Sequence, residues 1–137
     1  MGTPAKISKR ILVLDDEPLV ANAIKMILAR QGYEVELTHR GQDALSLLEQ
    51  SVFDLIITDY NMPEMRGDEL ALQIKARWPG LPIVMVTAFA DNIRNSPSVA
   101  DCVDAVISKP FNMVELRLTV ARLIAMRSFP EHGGESF

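Results

Sequence analysis

Residues 11–17 read Ile-Leu-Val-Leu-Asp-Asp-Glu, so four apolar residues are followed at once by three acidic ones. A short apolar run without polar alternation is typical of a strand that is covered on both faces, as in a parallel sheet. Four further stretches along the chain have a similar apolar character: residues 35–37, 55–58, 83–86 and 105–107. The sequence therefore predicts a parallel sheet of five strands.

Helical patterns lie between these strands. From Pro18 to Gly32 the apolar residues recur at 3.6-residue spacing, with proline suited to the first turn and glycine to the stop. Patterns of the same kind begin near Gln42, after Gly67 and near Asn112. Together with one helix between the fourth and fifth strands, this order predicts a doubly wound α/β fold, a three-layer sandwich with five helices.

The fourth helix has a poor sequence for a helix. Residues 91–100 include Asn92, Asn95 and Pro97, which are weak helix formers or helix breakers. We therefore expect a short or distorted element between the fourth and fifth strands.

Length and composition indicate one domain. The chain has 137 residues, of which 48% are hydrophobic, and its net charge of −4 argues against binding to nucleic acid or to an anionic membrane. The single Cys102 cannot form an internal disulfide, and neither a signal segment nor a membrane-spanning run is visible, so a cytoplasmic protein is expected. We expect the domain to span residues 8–127, between an extension at 1–7 and a tail or linker start at 128–137.

Polar side chains follow four of the five predicted strands. In order along the chain they are Asp15, Asp16, Glu17, Asp59, Thr87 and Lys109. Taken singly, each has an ordinary explanation, such as a helix cap or a turn. Because ligands bind beyond the carboxyl ends of the strands in such sheets, their occurrence at one edge indicates a shared site.

The chemistry of this set points to a phosphoryl group. Asp15, Asp16 and Asp59 carry three negative charges against the single positive charge of Lys109. A divalent cation would balance the remainder, and oxygen ligands without histidine or cysteine favour Mg²⁺. Since Mg²⁺ prefers carboxylates together with phosphate oxygens, one aspartate is free to act as a nucleophile toward phosphorus.

Over about residues 10–126 the sequence resembles the response regulator receiver family of two-component signalling. The resemblance rests on four motifs in order: Asp15-Asp16, the run DYNMPEMRG at residues 59–67, Thr87-Ala88 and Lys109-Pro110. It implies a flavodoxin-like fold with strand order 2-1-3-4-5. It also implies a signalling protein that catalyses its own phosphoryl transfer and slow dephosphorylation, not a metabolic enzyme.

The resemblance implies a role for each motif residue. Asp59 is the expected phosphoacceptor, and the donor is a phosphohistidine on a sensor histidine kinase or a histidine phosphotransfer protein. The expected Mg²⁺ ligands are Asp15, Asp16, Asp59 and the backbone carbonyl of Asn61. Thr87 and Lys109 are expected to bind the phosphoryl oxygens, and the Lys109–Pro110 bond to be cis.

Two residues depart from the family pattern at the expected site. Val106 stands where the family often has an aromatic residue that turns inward on phosphorylation, so we expect movement near Thr87 without an aromatic switch. Phe89 follows Thr87 by two positions, and its ring is expected to shield the acyl phosphate from water.

The family's usual partner surface is formed by the fourth helix, the fifth strand and the fifth helix, and the resemblance makes a homodimer through it an option. The fifth helix carries a second set of apolar residues: Val114, Leu118, Ala121 and Ala125. We expect this set to pack partly against the fourth helix, with a dimer or partner face as the alternative.

Three other functions stay open on the sequence. A phosphatase of the haloacid dehalogenase type would have an Asp-x-Asp motif where this chain has Asp59-Tyr60-Asn61. A flavodoxin would have a phosphate loop rich in Ser, Thr and Gly where this chain has residues 15–17. A receiver-like interaction module that works without phosphorylation would not need the set of polar residues. No output domain is visible, so a stand-alone receiver and a piece of a longer regulator or hybrid kinase both stay open.

Overall fold

Five parallel strands form one sheet in a computed structural model that describes residues 8–128. They are β1 (Arg10–Leu14), β2 (Glu34–Thr38), β3 (Leu55–Thr58), β4 (Ile83–Thr87) and β5 (Ala105–Ser108). Their order is β2-β1-β3-β4-β5. The predicted sheet and its strand order are confirmed. The predicted extension at residues 1–7 and all of the predicted tail except residue 128 lie outside the described residues.

Helices cover both faces of the sheet. They are α1 (Pro18–Ala29), α2 (Gly41–Gln50), α3 (Gly67–Arg77), α4 (Ala90–Arg94), α5 (Pro97–Ala100) and α6 (Met113–Ser128). Alternate residues of β1 divide between two cores: Leu12 and Leu14 pack with α2 and α3, while Ile11 and Val13 pack with α1 and α6. Because helices cover both faces of β1, all four residues from Ile11 to Leu14 are apolar. The helices on the two faces confirm the three-layer sandwich.

The fourth crossover is broken, as its sequence predicts. Two short helices, α4 and α5, replace one regular helix, and Pro97 is the first residue of α5. In α4, Arg94 Nη2 donates a hydrogen bond of 2.9 Å to the carbonyl oxygen of Val106, which attaches the helix to β5. The predicted fifth helix is therefore α6.

The expectation for the second apolar set of α6 is wrong. Val114 and Leu118 are 49% and 63% exposed, and Ala121 and Ala125 are exposed too. The reason is the broken crossover, because α4 packs against β5 and α5 against α3, which leaves this side of α6 uncovered. Within the described range, no helix combines the length and apolar character that crossing a bilayer requires.

Candidate functional site

The carboxyl edge of the sheet encloses a cavity of about 350 Å³. Its lining comes from the loops after four strands: Asp16, Glu17, Asp59, Asn61, Ala88, Phe89 and Lys109. Parallel strands bring these loops together although they are far apart in sequence. The edge that the sequence pattern indicated is therefore a concave polar site.

Asp59 lies at the floor of this cavity and is 6% exposed. Its backbone N–H donates to the carbonyl oxygen of Leu14 at 3.0 Å, which extends the pairing of β3 with β1. Its Oδ1 accepts hydrogen bonds from the backbone N–H groups of Tyr60 at 2.7 Å and Asn61 at 3.4 Å. These contacts orient the carboxylate and leave Oδ2 to face Lys109.

Gly67 allows α3 to start directly against this aspartate. A Cβ atom at residue 67 would stand 2.3 Å from the carbonyl oxygen of Asp59 and 2.9 Å from Cα of Tyr60. The Gly67 N–H donates to the Tyr60 carbonyl oxygen at 2.8 Å, which closes the loop. The glycine that ends the run at residues 59–67 is therefore required by close packing of two backbone segments.

Lys109 is the positive centre of the site. Its Nζ lies 2.8 Å from Glu17 Oε1, 3.1 Å from Asp15 Oδ2 and 3.1 Å from Asp59 Oδ2. Burial lowers the pKa of this ammonium, but hydrogen bonds to the three carboxylates, that to Glu17 being the largest, raise the pKa by more. Lys109 therefore stays charged, and three carboxylates share one cation.

Asp15 is the most buried of these carboxylates, at 2% side-chain exposure. Burial raises its pKa above the ordinary 3.8, against the hydrogen bond from the Glu17 N–H and the contact with Lys109, which lower it. The Glu17 N–H donates to Asp15 Oδ1 at 2.9 Å. Asp15 therefore holds a charge at an energetic cost that a further cation would relieve.

Thr87 and Asp16 take no part in the contacts around Lys109. Thr87 is fully buried and does not line the cavity; its Oγ1 accepts a hydrogen bond of 3.1 Å from the Phe89 N–H. Asp16 lines the cavity and is exposed, but it does not touch the Lys109 ammonium. The Lys109–Pro110 bond is cis, as the resemblance implied.

The sequence predicts Glu17 at the carboxyl edge but assigns it no role, and in the structure it contacts Lys109. Ligand oxygens of Asp15, Glu17 and Asp59 all lie within 4.8 Å of one another. The only signal in the sequence is the position of Glu17 beside the paired aspartates, which equally suits the start of a helix. Its contact with Lys109 joins residues 92 positions apart and is visible only in the folded chain.

The donor set fits Mg²⁺. Three carboxylates face one ammonium, which leaves a net charge of −2 among the four groups in contact. The grouped ligand atoms are all carboxylate oxygens, and neither a histidine nor a cysteine belongs to the group. Hard oxygen donors of this kind suit Mg²⁺ better than Zn²⁺.

Comparison with known sequences agrees with this site. The family model for the response regulator receiver domain matches residues 11–121. Response regulator MprA of Mycobacterium tuberculosis (strain H37Rv) is 34% identical over 131 residues, which cover 95% of this chain and 56% of MprA. The corresponding protein of Mycobacterium avium is also 34% identical and is covered to 55%. The chain therefore spans about half the length of the curated relatives it matches.

Solved structures give the same family. TrrA from Thermotoga maritima, in complex with Mg²⁺-BeF, has a TM-score of 0.78 and 34% identity, over 84% of this chain and 98% of that one. A CheY-like receiver domain protein from Methanospirillum hungatei has a TM-score of 0.83 and 32% identity, over 88% and 97%. The receiver domain of a histidine kinase from Syntrophus aciditrophicus has a TM-score of 0.81 and 32% identity, over 95% and 100%. By sequence and by fold, the chain belongs to the response regulator receiver family of two-component systems.

Proposed function

We propose that this protein accepts a phosphoryl group on Asp59 from a phosphohistidine donor, with Mg²⁺ present, and signals by a change of conformation. One observation carries the proposal. The Asp59 carboxylate opens onto a cavity of about 350 Å³, with Oδ1 held by backbone N–H groups and Oδ2 beside Lys109. A nucleophile that is oriented beside a fixed cation is what transfer of a phosphoryl group requires.

The chemical step is a displacement at phosphorus. A carboxylate oxygen of Asp59 forms the new bond to phosphorus while the bond from phosphorus to the donor imidazole nitrogen breaks. The electron pair of that bond returns to the imidazole, and the product is an acyl phosphate. Lys109 neutralises the charge on the phosphoryl oxygens.

Thr87 is the second group proposed to bind the phosphoryl oxygens. Its hydroxyl oxygen accepts a hydrogen bond from the Phe89 N–H and the side chain is fully buried. Accepting that bond leaves the O–H free to donate, but Thr87 does not line the cavity, so β4 has to shift toward the cavity before the hydroxyl can reach a phosphoryl oxygen. We propose that this movement begins the conformational change, without an aromatic switch at Val106, whose side chain packs beside Met85, Ile93 and Val99.

Mg²⁺ is the proposed cofactor, because the site holds more carboxylates than its single ammonium can balance. The residues proposed to hold it are Asp15, Asp16, Asp59 and the backbone carbonyl of Asn61. When bound, Mg²⁺ supplies positive charge that balances the carboxylates and the incoming phosphoryl oxygens. The Mg²⁺-BeF complex of the Thermotoga relative supports this proposal.

The wider role follows from the family. We propose a receiver domain over residues 8–127 that acts in the cytoplasm as a signalling phosphoacceptor with slow autodephosphorylation. Its partner is a sensor histidine kinase or a histidine phosphotransfer protein, and the net charge of −4 argues against direct contact with nucleic acid or a membrane. The exposed apolar side of α6, at Val114 and Leu118, supports a partner or dimer contact through α4, α5, β5 and α6.

The test is phosphorylation by acetyl phosphate in Mg²⁺, followed by intact mass. We expect one added phosphoryl group in the wild type, and none in Asp59→Asn or in excess EDTA. Asp54→Asn is the matched control, because Asp54 directly precedes the strand that Asp59 follows, and it accepts a hydrogen bond from the Arg10 N–H at the opposite edge. It should be phosphorylated like the wild type.

A folded wild-type protein that accepts no phosphoryl group, either from acetyl phosphate or from a phosphorylated histidine kinase, would contradict the proposal. That result would favour the interaction module that works without phosphorylation. Family membership already sets aside the haloacid dehalogenase phosphatase and the flavodoxin.

A further inference from the structure

The Glu17 carboxylate accepts a hydrogen bond from Lys109, and the same N–H group is needed to bind a phosphoryl oxygen. The Glu17 contact, at 2.8 Å, is the shortest of the three that Lys109 Nζ makes with carboxylates. A lysine ammonium has three N–H donors. Glu17 and Asp59 each accept a hydrogen bond from the ammonium, and Asp15 forms an ion pair with it at 3.1 Å, so three carboxylates surround it. A phosphoryl oxygen can therefore bind Lys109 only when one carboxylate gives up its place.

The three carboxylates differ in how easily they can move away from the Lys109 ammonium. Asp15 is buried, and the Glu17 backbone N–H holds its Oδ1 at 2.9 Å. Asp59 is the proposed phosphoacceptor and remains in the site. The Glu17 side chain is 60% exposed and lines the open cavity, so it can turn into solvent at little cost. Glu17 is thus the group that gives way.

We propose that the Glu17 carboxylate holds the place of a phosphoryl oxygen on Lys109, and that the incoming phosphoryl group displaces it. The inference rests on the proposed function. Glu17 is a positioning residue that acts through Lys109. It keeps the ammonium fixed before transfer, and it competes with the phosphoryl anion for the same donor.

The displacement also reaches the first helix. Glu17 is the N-cap residue of α1, yet its side chain makes no hydrogen bond to the helix end. Once released from Lys109, the carboxylate lies next to the start of α1, where the helix dipole favours a negative charge. Phosphoryl binding is thereby coupled to the first turn of α1, which carries the highly exposed Leu19.

The test measures binding of BeF₃⁻ in Mg²⁺ by isothermal titration calorimetry, since BeF₃⁻ becomes a tetrahedral phosphoryl mimic when a carboxylate oxygen coordinates it. Glu17→Gln keeps the size of the side chain and removes its charge, while Glu17→Asp keeps the charge but shortens its reach. We expect Glu17→Gln to bind BeF₃⁻ about twofold to fivefold more tightly than the wild type, the range of an exposed ion pair. Glu17→Asp should show a smaller gain in the same direction. The Leu19 amide should shift less on binding in Glu17→Gln than in the wild type, measured by NMR.

Glu64→Gln is the matched control. Glu64 is an exposed glutamate in the loop after β3 at the same edge, and it pairs with Arg40 at 3.1 Å. Its substitution removes the same charge without touching Lys109, so BeF₃⁻ affinity should stay within about 1.5-fold of the wild type. An equal gain in Glu64→Gln and Glu17→Gln would show a general charge effect and overturn the inference.

Mg²⁺ affinity, measured without BeF₃⁻, separates a competitor from a metal ligand. A weakening of about tenfold or more in Glu17→Gln would make Glu17 a ligand and overturn the inference. A wild type that binds BeF₃⁻ and is phosphorylated, beside a Glu17→Gln variant that binds no tighter, overturns the inference alone. A wild type that neither binds BeF₃⁻ nor accepts a phosphoryl group overturns the proposed function as well.

Discussion

The two edges of the sheet use similar charged residues in opposite ways. At the amino edge, Asp54 accepts the Arg10 N–H at 2.8 Å and lies 3.5 Å from Arg127. Asp104 accepts the Ile83 N–H at 2.8 Å and lies 3.3 Å from Lys75. Each of these carboxylates has a backbone donor and a cation of its own. At the carboxyl edge, three carboxylates share Lys109.

The comparison shows that the number of carboxylates per cation distinguishes a structural carboxylate from a functional one. Carboxylates with one donor and one cation each complete the ends of the strands and leave nothing to bind. An excess of buried negative charge costs stability, and it creates an attraction for a divalent cation. Residue type alone therefore does not mark the site; the ratio of anions to cations does.

Removing the shared cation should have the largest effect. Lys109→Met takes away the charge that neutralises the phosphoryl oxygens, so we expect the rate of phosphorylation by phosphoramidate to fall roughly 100-fold or more. Lys75→Met removes a lysine that pairs with Asp104 at the amino edge, and its rate should be unchanged. Intact mass over time gives both rates. Equal losses in the two variants would contradict the distinction between the edges.

Adding one methyl group should also affect the stability of the two edges differently. Gly67→Ala places a Cβ against the backbone of Asp59, so we expect the free energy of unfolding in urea to fall by about 3 kcal/mol. At Gly80, before β4, no atom lies within 4 Å of an added Cβ. Gly80→Ala should therefore change the free energy of unfolding by less than about 0.5 kcal/mol. A stable Gly67→Ala variant with normal phosphorylation would show that the close approach is not required.

Two aspartate variants should change stability in opposite directions in metal-free buffer at neutral pH. Because the pKa of Asp15 is raised in the folded state, its contribution to stability is present below the ordinary 3.8 and is lost as pH rises through the folded pKa. Asp15→Asn should therefore raise the free energy of unfolding by about 1 kcal/mol at pH 7. Asp104→Asn weakens the acceptor of the Ile83 N–H, so it should lower the free energy of unfolding by about 1 kcal/mol.

Urea unfolding in EDTA at several pH values tests the sign. The gain from Asp15→Asn should shrink as the pH falls through the folded pKa and disappear below 3.8, where the wild-type carboxyl is protonated in both states. A gain that persists at low pH would mean that packing, not charge, is responsible.

The smallest effect is expected at Phe89, which lines the cavity and is 47% exposed. If its ring shields the acyl phosphate, Phe89→Ala should shorten the lifetime of the phosphorylated protein roughly threefold, or about 0.6 kcal/mol on the barrier to hydrolysis. Val52→Ala, at an exposed apolar residue before β3, should leave the lifetime unchanged. Decay after removal of the donor, followed by mass, measures both. An unchanged lifetime in Phe89→Ala would count against shielding.

Much of the fold was predictable because local pattern and tertiary structure agree. Continuous apolar runs predicted the covered strands, and the weak helix formers near Pro97 predicted the broken crossover. The prediction that Val114 and Leu118 pack against the fourth helix was wrong, since their exposure depends on the positions of α4 and α5. A helical pattern shows which residues share a face, but not whether a neighbour covers that face.

By itself the sequence determined the order of strands and helices, the residues after each strand and the family whose motifs they match. Apolar periodicity and short motifs are local properties, so they can be read without coordinates. Only the tertiary structure decided that Glu17 joins Asp15 and Asp59 on Lys109, that the Thr87 hydroxyl is turned to the Phe89 N–H, and that Gly67 touches Asp59. The Glu17 contact with Lys109 joins residues 92 positions apart, and the other two contacts depend on the path of the loops at the end of the sheet, which a sequence pattern does not give.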